Sequence, residues 1–350
     1  MTSKAIVNNM IKRREILRRG MAGLGIAGIG ASMLKPSAFT SVAEAAALAE
    51  ANGKILVILE LSGGNDGLNT VVPYGDDAYY RHRPEIGLPK SQLRILDDHF
   101  GLNPGMSGFE ELFKDGKMAI VHGCGYENPS YSHFTSMSYW HTAAPNSGEE
   151  YGWVGRLADN LDSAGSSNFL VNVAARQSLA VRSQQHVPVV FDEPSRFTRE
   201  AFSQEREALS HIADVGDIDN PSRRFLLDIA RSANDASELV REAWSNYSSP
   251  VDYGVNSLDL PKVVSLIESG MPTKLYYVSY RNNAFDTHVF QNNVHRRLLT
   301  YTSDAVSAFV RDLERIGRAD AVSYTHLRAH ETPEHRGCRR RGGKKKGGGG

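Results

Sequence analysis

The chain has 350 residues, of which 41% are hydrophobic, which is enough for a sizeable core in one large domain or two small ones and too much for a disordered chain. Its formal net charge is zero, yet residues 1–51 hold 7 Lys or Arg against 3 Asp or Glu, and residues 323–350 hold 8 against 2. The body between them keeps 25 basic and 35 acidic residues, a surplus that repels phosphate backbones and argues against a nucleic-acid partner.

The N-terminal segment reads as an export signal. Lys12-Arg13-Arg14-Glu15-Ile16-Leu17-Arg18 precedes a weakly apolar, glycine-rich stretch from Met21 to Leu34, and small-residue sites follow around Ala43-Glu44-Ala45 and Ala47-Leu48-Ala49. Basic, then apolar, then cleavable is the order of a signal peptide. The arginine pair resembles a twin-arginine signal, which implies the twin-arginine translocase as a partner and a periplasmic or secreted bacterial protein. Residues 1–51 are therefore expected to be signal and linker. The apolar run is shorter than the roughly 20 residues a membrane span needs, so no stable span is expected. Only Cys124 and Cys338 occur, which leaves no disulfide framework to stabilise the fold.

The folded body is expected over 52–322. Lys54 to Leu61 is a continuous apolar run of strand length followed by the turn cluster Ser62-Gly63-Gly64-Asn65-Asp66-Gly67, as a buried parallel strand would read. Gly108 to Lys114 predicts a short helix, Met118 to Gly123 the next strand, and Ser132 to His141 a further helix. Asn168–Val173 and Val187–Phe191 are strand-like, and Pro221–Tyr247 predicts a long helix. Lys274–Tyr280 is another strand, and a helix is predicted over Val294–Ile316, with Leu298, Leu299, Val306, Phe309, Val310 and Leu313 on its apolar face. Strands alternating with helices predict an α/β fold with a mostly parallel sheet covered on both sides, in one domain. From Ser323 the composition turns to an Arg, Lys and Gly run without helix or strand period. Residues 323–350 resemble translated sequencing-adapter read-through, so they are read as an artefactual basic tail.

In open parallel sheets, ligands gather beyond the carboxyl ends of the strands, and three predicted strands end in polar clusters. The first offers Asn65 and Asp66 among glycines that let backbone approach an anion or turn Asp66 inward; the alternative is a tight turn in which both only cap a helix. In the second, Asn128-Pro-Ser-Tyr-Ser-His-Phe-Thr135, Ser132 and His133 sit at a helix start, where free N–H groups would stabilise negative charge; there Ser130 or Ser132 could equally be an N-cap. In the third, Phe285-Asp286-Thr287-His288, a carboxylate and an imidazole two residues apart in extended chain suit a shared divalent cation, or form an ordinary surface pair. Gly105-Met-Ser107-Gly-Phe109 lacks the last glycine of a nucleophile elbow, and neither a Walker loop nor a Cys-x-x-Cys pair occurs.

Together, the leader, Leu61-Ser-Gly-Gly-Asn-Asp-Gly-Leu-Asn69 with Thr70-Val-Val-Pro-Tyr74, Ser132-His-Phe134 with Trp140, and Phe285-Asp-Thr-His288 resemble an exported bacterial family known as domain of unknown function 1501. That family looks related to the alkaline phosphatase and sulfatase superfamily. The resemblance implies a three-layer α/β/α, alkaline-phosphatase-like domain, truncated at its C-terminus, whose intact form hydrolyses phosphate or sulfate esters of small molecules or polymers. It further implies Asp66, Asp286 and His288 as ligands of a divalent metal ion (zinc, calcium or magnesium) and Ser132, beside His133, as the nucleophile candidate. The alternative is a non-catalytic exported binding or assembly protein that keeps the fold.

Overall fold

The computed structural model describes residues 54–130, 132–197 and 235–328. The expected signal segment, most of the helix predicted from Pro221, and the tail beyond Arg328 lie outside the described residues. All the described residues belong to one compact unit.

In chain order, β1 (Ile55–Leu61) leads to a single-turn helix α1 (Gly67–Thr70), β2 (Val71–Val72), α2 (Asp77–His82), β3 (Arg94–Ile95), β4 (Gly101–Leu102) and α3 (Ser107–Lys114). Then follow α4 (His133–Thr142), α5 (Trp153–Leu161), β5 (Leu170–Val173), β6 (Val189–Phe191) and a helix over 235–246, here α6. The order ends with α7 (Leu260–Glu268), β7 (Leu275–Ser279), α8 (Gln291–Arg315) and β8 (Val322–Arg328). The strands β2, β4 and β3 form a small antiparallel sheet. The main sheet has the order β6-β5-β7-β1-β8, and every pairing in it is parallel.

β1 sits inside this sheet because all seven of its side chains are buried, as a strand covered on both faces requires. Ile55, Val57, Leu59 and Leu61 face one layer, against Phe109 of α3, Val240 of α6, Val263 and Val264 of α7, and Leu299, Val306 and Phe309 of α8. Leu56 and Ile58 face the other layer, against Trp153, Val154, Leu157 and Ala158 of α5. The fold is therefore α/β, a five-stranded parallel sheet with helices on both faces. The expected helix from Val294 is α8, whose buried Leu298, Leu299, Thr302, Val306, Phe309 and Leu313 recur at three- and four-residue steps. It lies tight against α3, where a Cβ on Gly108 would stand 2.5 Å from Ser307 Oγ.

Two segments differ from the sequence reading. Met118–Gly123 forms no strand: Met118 and Ile120 rest against the core and Val121 is exposed, while both flanks of β1 are taken by β7 and β8. A strand forms instead at the start of the expected tail. Val322–Arg328 runs in parallel register with Ile55–Leu61, so the ordered fold extends past residue 322. Alternation explains it, since Val322 and Tyr324 turn towards the core and Tyr324 lies 5.8 Å, ring to ring, from Phe309.

Candidate metal centre

Parallel pairing carries the ends of β1 and β7 to the same edge of the sheet, with Glu60 opposite Ser279 in register. The loops beyond them are joined directly. Ser62 accepts a backbone hydrogen bond from Phe285 N–H at 3.0 Å, and its hydroxyl donates to Asn283 Oδ1 at 2.9 Å. Glycine makes this approach possible. Gly63 sits at φ +109°, and a Cβ there would stand 2.6 Å from Asp286 N and 2.8 Å from Asn283 O. A Cβ on Gly64 would stand 2.4 Å from His133 Cε1, so the same loop also receives the first residue of α4. All three polar clusters therefore meet, the second through the start of α4 and not through a strand of its own.

The meeting point holds two imidazoles and a carboxylate. Asp286 Oδ1 lies 2.7 Å from His288 Nε2 and 3.2 Å from His133 Nε2, and the three prospective ligand atoms all fall within 4.8 Å of one another. Backbone bonds from Asp286 N–H to Asn283 O and from Thr287 N–H to Phe285 O turn the chain here, and the buried Thr287 donates to Gln291 Oε1 while Asp286 and His288 meet. The rings of His133 and His288 stand 6.4 Å apart at 72°. His133 is largely covered, whereas the side chain of His288 is 61% exposed, so one flank of the cluster faces solvent. Two imidazole nitrogens and one carboxylate oxygen, open on one side, are a donor set suited to a divalent transition ion that keeps a further coordination position.

Two of the expected site residues have other work. Asp66 is wholly buried and caps α1, accepting from Asn69 N–H at 3.1 Å; Arg83 Nη1 at 2.6 Å and Gln291 Nε2 at 3.2 Å donate to its other oxygen. The structure does not bring it into the cluster, and His133 stands there in its place. Ser132 is the N-cap of α4, where its hydroxyl accepts from Thr135 N–H at 3.5 Å and its own N–H donates to Ser130 Oγ. It is exposed and immediately precedes His133.

Below the cluster lies a group that sequence reasoning missed. Glu60, buried in β1, is reached by His141 Nε2 of α4 at 2.8 Å, by the Tyr277 hydroxyl of β7, and by Ser279 Oγ at 3.1 Å. Burial pushes the Glu60 carboxyl up, but the hydrogen bond and charge of His141, helped by Tyr277 and Ser279, outweigh that and hold it below its ordinary value. The available signal was a lone acid in an otherwise apolar strand. Comparisons of the chain with protein-family models, with curated proteins and with solved structures return no match.

Proposed function

We propose that His133, Asp286 and His288 bind a divalent cation, and that the intact fold uses this centre to hydrolyse phosphate or sulfate esters, as the resemblance to the alkaline phosphatase and sulfatase superfamily implies. The observation that carries the reading is the convergence of three ligand atoms within 4.8 Å at the carboxyl edge of a parallel sheet. Two imidazoles favour zinc over calcium or magnesium, which prefer all-oxygen shells. A bound cation would polarise the ester oxygen and lower the pKa of a nucleophile beside it. Of the chain's own groups, Asp286 would be the anionic ligand between the two histidines. Ser132 would have to release Thr135 N–H to act as nucleophile, which leaves that N–H at the helix start to meet negative charge on the ester.

The reading also takes the chain as exported through the twin-arginine translocase to the periplasm or beyond. Among the described residues, no helix is long and apolar enough to cross a membrane. A non-catalytic binding role is the second reading. It is favoured by Ser132 already serving as a cap and by Asp66 being held in an ion pair away from the cluster.

Calorimetric titration with zinc tests the centre. One equivalent is expected to bind, with loss of binding in Asp286→Ala and in His288→Ala; unaltered binding in both variants would overturn the ligand assignment. Turnover of p-nitrophenyl phosphate or sulfate by the zinc-loaded chain, abolished in Ser132→Ala, separates the enzyme from the binding protein.

A further inference from the structure

Three separate elements supply the cluster: the loop after β1 packs on it through Gly63 and Gly64, α4 brings His133, and the segment after β7 brings Asp286 and His288. Glu60 links the strands and the helix from which these segments leave. It belongs to β1, its backbone carbonyl accepts from Tyr280 N–H at 2.8 Å, and its carboxylate is reached by Tyr277 and Ser279 of β7 and by His141 of α4.

The grip on α4 matters because Trp140 is the one large apolar side chain that this helix buries. Only Ser136, Trp140 and Thr142 of its ten residues are buried, and Phe134 is 81% exposed. By contrast, α5 buries Trp153, Val154, Leu157 and Ala158. Side-chain hydrogen bonds therefore do much of the fixing. Arg156 of α5 donates to Thr142 O at 2.6 Å, and Tyr126 meets Ser136 Oγ at 3.3 Å. From the sheet itself, Glu60 bonds to His141. His141 lies in the last turn of α4 and His133 is its first residue, so the angle set at His141 is carried along the helix to His133.

We propose that Glu60 is the positioning residue of the cluster: through His141, Tyr277 and Ser279 it locks α4 against the ends of β1 and β7, so that His133 meets Gly64 and Asp286. Glu60 touches neither cation nor substrate. The inference rests on the cation reading for its consequence, but the placement of His133 can be measured without any metal.

The test compares Glu60→Gln with Asp312→Asn. Gln keeps the size of Glu60 and loses its charge. Asp312 is an equally buried carboxylate on α8, bonded to Tyr247, Ser249, Tyr253 and Arg315, with no bond to α4. Two quantities are read: zinc affinity by competition with a chromophoric chelator, and the nuclear Overhauser contact between the His133 Cε1 proton and the Gly64 α-protons in the metal-free chain. Glu60→Gln is expected to weaken zinc about ten-fold, as loss of a group orienting a ligand does, and to lose the contact. Asp312→Asn is expected to lower the melting temperature while leaving both readouts as in the wild type. His141→Gln, at the accessible end of the pair, should reproduce Glu60→Gln, and the double variant should add nothing; it also serves if Glu60→Gln fails to fold. Wild-type affinity and an intact His133–Gly64 contact in either variant would overturn the proposal. If the wild type binds no zinc, the reading of the centre fails, and the His133–Gly64 contact still decides the role of Glu60.

Discussion

Replacing Arg83 by Met tests whether Asp66 is a structural carboxylate or a ligand. Asp66 is fully buried, and Arg83 donates to it at 2.6 Å; Met preserves the aliphatic stem and removes the charge. The variant also loses the bond from Arg83 Nη1 to Asn69 Oδ1 at 3.2 Å, while Asp66 keeps its bonds from Asn69 N–H and Gln291. Removing one partner of a buried pair costs about 3–5 kcal/mol, because the remaining charge stays desolvated. Against a total stability of about 5–15 kcal/mol, that should move the urea midpoint down by roughly 1–2 M. Adding Asp66→Asn removes the stranded charge, so the double variant should be more stable than Arg83→Met alone. Zinc affinity, measured on the folded fraction, should fall far less than on removing a ligand, because neither residue belongs to the cluster and Asp66 reaches it only through Gln291 and Thr287. A cost for Arg83→Met below about 1 kcal/mol would mean a solvated pair and refute the structural role. Loss of zinc binding at full folding would return Asp66 to the ligand set.

Gly64→Ala should leave the melting temperature nearly unchanged, since the His133 ring can swing aside from the added methyl, and should weaken zinc about ten-fold or more, read by the same chelator competition. Gly152→Ala has no such escape: its Cβ would stand 2.0 Å from Ala180 O and 2.1 Å from Leu179 O, so a loss of about 3 kcal/mol or failure to fold is expected in urea denaturation. The Asp162 carboxyl is held down to about 2 chiefly by hydrogen bonds from Ser166, with further bonds from His186 and Ala164 N–H, against an ordinary value of 3.8. A depressed carboxylate stabilises the fold above its unfolded value and loses that contribution as pH falls through the folded one. The melting temperature should therefore drop between pH 3.8 and about 2, and Asp162→Asn should shrink that drop. Glu60, also depressed, contributes with the same sign.

The sheet was legible where burial on both faces leaves a continuous apolar run, as in Ile55–Leu61 and Leu275–Ser279, and α8 was legible from its three- and four-residue rhythm. Met118–Gly123 carries a similar apolar run, but a pattern names a buried face and not a hydrogen-bonding partner, and no neighbour pairs with it in the main sheet. Asp286 and His288, two residues apart in the sequence, lie in one group with His133, which is far from them along the chain. Asp66 could not be told from a ligand, since its decisive partner Arg83 is 17 residues away and its third donor, Gln291, 225 away. The pairing of Glu60 with His141, 81 residues apart, was invisible for the same reason.

The placement of β1 also constrains how the chain is made. Its two neighbours, β7 and β8, pair Leu56 with Leu275 and with Ser323, so the most apolar strand emerges first and its partners emerge more than two hundred residues later. At about 5–20 residues per second, the ribosome leaves that strand unmatched for roughly ten seconds to a minute. A seven-residue strand of six apolar residues exposed that long is an aggregation hazard, and its single charge, Glu60, interrupts the run as a gatekeeper would.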